Sequence, residues 1–444
     1  MKSLMSRRSF CATTLLPVAG TLLLLGCGGG GESGPTQSAL AVRGHALATG
    51  APARWAEIAM RAAALAPGLP PFITARAYAM AFLAAHDALN ATLPVYAVYL
   101  SGPKAPGANP DAAVAAAVRD VLVHEFPFAM ALLDTEYASA LAAIAGVGSV
   151  PTGIEIGQRC AAAMLAERAG DGLAEIDGPF TEGTLPGAYR FTPPFDFAAA
   201  VHLGDKMKPF SIPSAVAFRV DLPYAVTDAA YTADYNEVKA LGAAVGSSRS
   251  TDQSELGKFW LENTNDSWMK IALQLAASRQ MDGWALMRTL ALIQVAQADA
   301  YTACVESKYF YRFWRPITAI HLAGTGGVND GDGNPATVGD PAWASFDPVC
   351  PPIPDYPSGH AASGGAGAVV LAQAFGSDAL SFTHQSVSLP GPTRSFTSFS
   401  QAHDEIAFSR ICVGYHFRLA TQAGVAQGRA VAAQVMAAQL AALG

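Results

Sequence analysis

Three short stretches of the 444-residue chain carry side chains that could do chemistry together. The first, Lys308-Tyr309-Phe310-Tyr311-Arg312-Phe313-Trp314-Arg315-Pro316, sets Lys308 and Arg315 seven residues apart among aromatics. On one helix that spacing is about two turns, which puts both cations on one face. Aromatic neighbours that exclude water strengthen a cation's grip on an anion. The second stretch, Pro357-Ser358-Gly359-His360, reads as a helix start with Ser358 near the N-cap. The amides of Gly359 and its successor then point out from the positive end of the helix, a ready anion site. Glycine lets a bulky oxyanion approach the backbone, and His360 stands beside it for proton transfer. In the third, Ser409-Arg410-Ile411-Cys412-Val413-Gly414-Tyr415-His416-Phe417, Arg410 and His416 would lie about 120° apart on an unbroken helix. Gly414 marks the helix end, after which the chain can turn so that both face one point.

Singly, each stretch has a plainer explanation: a solvated pair of surface cations, a structural histidine beside a glycine, and a helix terminus capped by an arginine. Together they suit a tetrahedral oxyanion. Lys308, Arg315 and Arg410 neutralise its charge, while Ser358 and the Gly359 amide hold its oxygens. One histidine can bond the central atom while the other moves protons.

The elements that must position these residues read as helices. Apolar residues recur at three- and four-residue spacing over Arg54 to Leu65, Thr74 to Leu93, Asp111 to His124, Ala129 to Ala145 and Gly153 to Ala169. The pattern resumes over Glu255 to Trp260, Asp266 to Arg279 and Asp282 to about Phe313, then over Ser358 to Phe375, Ser400 to Val413 and Phe417 to Leu443. Prolines at 179, 186, 193, 194, 209, 213 and 223 make the intervening segment a long folded-over connection, in which Asp234 to Val245 could form a helix. A second irregular stretch, Gly324 to Pro357, is rich in Gly, Asp and Pro. The expected fold is all-α, two packed helical bundles with long irregular connections and no substantial sheet. Its organisation is a leader over 1–27, a flexible linker over 28–51, an N-terminal bundle over 52–176, an irregular connection over 177–252 and a C-terminal bundle bearing the site over 253–444.

Composition narrows the function. Hydrophobic residues are 51% and charged residues 14%, with a mean hydropathy of +0.25, so a membrane protein must be considered. A spanning helix needs roughly 20 consecutive apolar residues. Gln294, Gln297 and Asp299 interrupt one long run past residue 27, and Gly376 and Asp378 end another. A net charge of −7 argues against general nucleic-acid binding. The leader Ser6-Arg7-Arg8-Ser9-Phe10 resembles a twin-arginine export signal, and Leu24-Leu25-Gly26-Cys27 resembles a lipobox, so export with a lipid on Cys27 is expected. Cys160, Cys304, Cys350 and Cys412 form no C-x-x-C pair and read as buried thiols rather than a zinc site. Asp330 to Asn334 has the spacing of a calcium loop but lacks a closing glutamate, which favours a turn. His86-Asp87 and His403-Asp404-Glu405 read as structural, the latter with the option of orienting Arg410.

The order Lys308-x6-Arg315-Pro316, Pro357-Ser358-Gly359-His360, Ser409-Arg410-x5-His416 resembles the three-part signature of vanadium-dependent haloperoxidases and acid phosphatases of the phosphatidic acid phosphatase type 2 superfamily. Phe313-Trp314-Arg315-Pro316 and the run Pro351 to Pro357 favour the haloperoxidase branch, and Ile156-Gly157 to Gly172 and Tyr235 to Leu241 resemble bacterial members. The resemblance implies a vanadium chloroperoxidase-like fold and vanadate as cofactor. It makes Lys308, Arg315, Ser358, Gly359 and Arg410 the holders of the vanadate oxygens, His416 the axial ligand and His360 the acid–base residue. Hydrogen peroxide would then bind at the vanadate, be polarised by Lys308 and be attacked by a halide, with a small organic acceptor taking the halogen. Vanadium would stay in its highest oxidation state. A homodimer is compatible with the resemblance. Ile353 stands five residues before Ser358, where relatives carry an aromatic or a histidine, so their halide preference does not carry over. The competing functions are phosphate-ester hydrolysis through a phosphohistidine at His416 and a non-catalytic lipoprotein scaffold.

Overall fold

The computed structural model describes residues 50–323 and 331–443. The leader, the linker through Thr49, Cys11, Cys27, His45 and Asp330 lie outside the described residues.

The fold is all-α, and its only sheet among the described residues is a two-stranded hairpin. The first half supplies α1 (Ala51–Ala63), α2 (Pro71–Thr92), α3 (Pro110–Glu125), α4 (Met130–Ala142) and α5 (Val150–Glu167). The connection holds one short turn, α6 (Leu203–Lys206), and one full helix, α7 (Ala229–Leu241). Then come α8 (Thr251–Phe259), α9 (Thr264–Ser278), α10 (Gly283–Tyr311), α11 (Pro316–Leu322) and α12 (Gly359–Ala374). Strands β1 (Phe382–Gln385) and β2 (Thr393–Phe396) pair antiparallel before α13 (Phe399–Cys412) and α14 (Arg418–Ala438). Starts follow the polar residues that precede them. Asp282 caps α10 through the Ala285 amide, Ser398 caps α13, and Ser250 with Gln253 forms a capping box on α8.

Helix α10 is the axis of the molecule. It is buried almost all round, as a helix without a polar face must be, and it packs on α2, α12 and α14. One apolar cluster runs from Trp55 to Leu440 through this helix. Much of it is alanine, which lets helix backbones come close.

The polar residues that break the α10 run have structural partners. Asp299 is fully buried and accepts the amides of Phe210, Ser211 and Ile212 at 2.7, 2.8 and 3.0 Å. This pins the proline-rich connection to the central helix at Phe210 to Ile212. Among the described residues no helix is long and apolar enough to cross a membrane.

One expectation is corrected. Lys308 and Arg315 do not share a helix face. Helix α10 ends at Tyr311, where Arg312 takes a left-handed conformation (φ 52°). Arg315 is extended (φ −82°, ψ 156°) at the start of α11, because a residue preceding proline is driven out of the helical region.

Helix α12 lies tightly on α14. A Cβ at Gly424 would stand 2.4 Å from the Ser358 carbonyl oxygen, and one at Gly428 would stand 1.8 Å from that of Ala362. Only glycine permits this approach, and it fixes where α12 begins.

Candidate active site

Ser358 is the N-cap residue of α12, yet its hydroxyl makes no capping bond. Its amide donates to Ala420 O at 2.8 Å, and its Oγ is buried with no partner. The first intrahelical bond runs from Ala362 to Ser358 O, which leaves the amides of Gly359, His360 and Ala361 as the free donors of a helix start. A Cβ at Gly359 would meet no protein atom closer than 3.7 Å. A Cβ here would meet Tyr301 and Cys304 of α10 at ordinary contact distance, so packing does not require glycine.

Three buried cations stand around this helix start. Lys308 is 3% exposed, and its ammonium donates to Pro354 O at 2.5 Å and Asp355 O at 2.9 Å. That leaves one of its three N–H groups for a ligand. Burial, with the charge of Arg315, lowers its pKa to about 7. Arg315 is 1% exposed and donates to Ile353 O (2.7 Å), Tyr415 O (2.9 Å) and His416 Nε2 (3.0 Å). Arg410 donates to Trp260 O at 2.6 Å and Ser409 Oγ at 2.9 Å, and burial lowers its pKa to about 10.

The turn foreseen at Gly414 is present. Helix α13 stops at Cys412, Gly414 has φ +83°, and the chain swings His416 round to Arg315. Because Arg315 donates to Nε2, that nitrogen must accept, and the proton sits on Nδ1, which donates to Asp355 Oδ1 at 2.8 Å. Burial, then the charges of Arg315, Lys308 and Arg410, hold the imidazole well below its ordinary pKa, so the ring is neutral. His360 is half-buried, and its Nε2 lies 3.3 Å from the Glu262 carbonyl oxygen. Burial and the Arg410 charge push it down to about 3. A bound oxyanion among these cations would counter that repulsion and return His360 towards protonation, while His416 stays neutral with its Nε2 lone pair available.

All seven residues singled out from sequence thus belong to one neighbourhood. Lys308, Arg315 and His416 are linked through the segment Ile353 to Asp355, Ser358 and Gly359 start the helix that follows it, and Arg410 and His360 are held by the carbonyls of Trp260 and Glu262. Those two anchoring segments were not foreseen as site residues. The run Pro351 to Pro357 carries a signal, a lone acid among prolines directly before the serine motif. Trp260 to Glu262 carries none, since its contribution is backbone.

Behind it, the buried Glu262 carboxylate bonds His384 Nε2 (2.7 Å) and Ser267 Oγ (2.6 Å) and pairs with Lys270. Glu405 accepts from the Trp260 indole at 2.8 Å, so it reaches Arg410 only through that residue. Asp87 accepts the Tyr99 and Leu100 amides, as a structural residue would. Asp332 accepts from Asn334 and Thr337 as in a turn. Ile353 packs with Ile176, Leu203, Met207 and Val305. Cys160, Cys304, Cys350 and Cys412 are free thiols.

The donors suit an anion of vanadate or phosphate shape: three cations, one unpartnered hydroxyl, free helix amides and a neutral imidazole nitrogen. Among the described residues no three His, Cys, Asp or Glu gather as ligands for a metal cation.

Known proteins are similar to this chain in sequence and fold. The family model for the VCPO second helical-bundle domain matches residues 288–442. The vanadium chloroperoxidase of Curvularia inaequalis is 29% identical over 197 residues, 39% of this chain and 32% of that relative; the match spans about a third of the relative's length. Among solved structures, one described as the first bacterial vanadium-dependent iodoperoxidase superposes with a TM-score of 0.73 at 26% identity, covering 88% of this chain and 96% of that one. A holo-type bacterial vanadium-dependent chloroperoxidase shares the fold at a TM-score of 0.67 and 19% identity, over 83% of this chain and 93% of its own.

Proposed function

We propose that this chain, which is similar to vanadium-dependent haloperoxidases, binds vanadate at the start of α12 and oxidises halide with hydrogen peroxide to hypohalous acid. The observation that carries the reading is the unpartnered, buried Ser358 hydroxyl ringed by Lys308, Arg315 and Arg410. Buried polar groups without partners are rare in folded proteins, and three buried cations repel one another unless an anion joins them. Arg315 and Arg410 would hold the oxygens together with the Gly359 amide. His416 Nε2 would be the ligand atom, with Arg315, which donates to it in the free site, turning to an oxygen of the bound group. Bound vanadate supplies a Lewis-acidic centre that renders a peroxide oxygen electrophilic. Lys308 would donate its remaining N–H to that oxygen. His360 would take the proton of incoming peroxide and return one as hypohalous acid leaves.

The neutral His416 Nε2 is equally suited to attack a phosphate ester, which supports the acid-phosphatase reading as the second choice. The purified protein, assayed with bromide or iodide and hydrogen peroxide with and without vanadate, distinguishes them. Vanadate-dependent halogenation supports the first reading. Hydrolysis of a phosphate ester that vanadate inhibits supports the second. Neither activity in a folded protein sinks both and leaves a scaffold. The proposal includes export, with Cys27 as lipid attachment point, a small organic acceptor, a homodimer, and residues 253–444 as the catalytic bundle. Loss of envelope attachment on Cys27→Ser would test the anchor.

A further inference from the structure

Four of the buried aspartates invite comparison. Asp299 takes three backbone amides, Asp87 takes two amides besides His86, and Asp171 takes Arg76 and Arg168. Each is satisfied as a structural carboxylate should be. Asp355 is different. It is 1% exposed, it accepts from His416 Nδ1 and from the Phe417 amide, and its Oδ2 is buried with no partner. A half-paired buried carboxylate is poor scaffolding.

Its backbone is part of the same arrangement. The Asp355 amide donates to Phe313 O at 2.9 Å, its carbonyl and that of Pro354 hold Lys308, and the carbonyl of Ile353 holds Arg315. The side chain is therefore delivered by the strip of chain that sets two of the cations.

We infer that Asp355 is the positioning residue of the oxyanion centre: by accepting the Nδ1 proton of His416 it fixes the tautomer and ring orientation that present the Nε2 lone pair to the bound group. This rests on the reading of His416 as the ligand. A carboxylate behind a ligating histidine fixes its tautomer and raises its basicity. Burial pushes the Asp355 carboxyl up to about 7; when ionised it also places a negative charge behind the pocket, which by itself weakens the binding of any anion. Those opposed effects give the inference its test, because vanadate can bond His416 and inorganic phosphate serves as an anion held by the cations, Ser358 and the helix amides without that bond.

Dissociation constants for vanadate and for inorganic phosphate should be measured on the wild type, Asp355→Asn and His416→Ala by equilibrium dialysis, with melting curves to establish folding. In Asp355→Asn the vanadate constant is expected to rise about 10- to 100-fold, while the phosphate constant stays within about threefold or tightens as negative charge is removed. An unchanged vanadate constant in Asp355→Asn, beside a weakened one in His416→Ala, overturns the role of Asp355 and leaves the site standing. Equal weakening of both anions in Asp355→Asn means a structural residue and also overturns it. Vanadate binding that is untouched in His416→Ala sinks the ligand assignment and this inference together.

Discussion

Replacing Arg315 separates charge from geometry. Its guanidinium bridges Ile353 O, Tyr415 O and His416 Nε2 at 2.7, 2.9 and 3.0 Å while almost wholly buried. Arg315→Met removes those donors and strands two buried carbonyls, at about 1–3 kcal/mol each. Relief of repulsion against Lys308, whose pKa Arg315 helps to depress, offsets part of that cost. A net loss of about 2–4 kcal/mol is expected. With an unfolding entropy of ~2.1 cal/mol/K per residue, a chain of 444 residues should then melt roughly 2–4 °C lower. Vanadate loses a charged hydrogen-bond donor worth about 1.5–3 kcal/mol, which weakens binding roughly 10- to 150-fold. Arg315→Lys keeps the charge, but its single ammonium cannot span acceptors on three sides, so most of the affinity loss should persist. Calorimetric titration with vanadate and differential scanning calorimetry read both quantities. Wild-type vanadate affinity in folded Arg315→Lys would refute the reasoning, because charge alone would then account for the site.

Further expectations concern the other residues. His416→Ala should abolish vanadate binding, whereas His360→Ala should keep the vanadate dissociation constant within a few-fold and lower turnover about 10²- to 10⁴-fold; equal vanadate affinity in His416→Ala and the wild type contradicts the assignment. Vanadate at 100 times its dissociation constant should stabilise the fold by about 2.7 kcal/mol, a rise in melting temperature near 3 °C for this chain length, and the rise should vanish in His416→Ala. Burial raises the Glu262 pKa, but His384 and Lys270 prevail and hold it at about 2. A carboxyl depressed on folding stabilises above its unfolded pKa and loses that contribution as pH falls through the folded value. Acid titration followed by circular dichroism should therefore show Lys270→Met and wild type converging in stability between about pH 4.5 and pH 2; a constant difference across that window contradicts the pairing.

The legible part of the site was chemical. Cations, a helix-starting serine and two histidines follow from residue type, and Gly414 announced the turn that His416 needs. Helical periodicity located the helices of both halves because apolar spacing reports burial directly. What failed was a continuous helix through Arg315, although Pro316 already argued for an extended residue before it. The supports were harder to see. Trp260 and Glu262 act through carbonyl oxygens, which carry no residue identity, and the role of His384 depends on a hairpin meeting a loop 122 residues away in sequence. Asp355 lay in plain view, but its partner is 61 residues on, and local pattern cannot join them.

The glycine seam between α12 and α14 bears on how such a chain can diverge. With Gly424 and Gly428 pressed against carbonyls of the helix that opens at Ser358, the floor beneath the anion has no slack to absorb substitution. Change in what the protein acts upon must therefore enter through parts of the chain that this seam does not clamp.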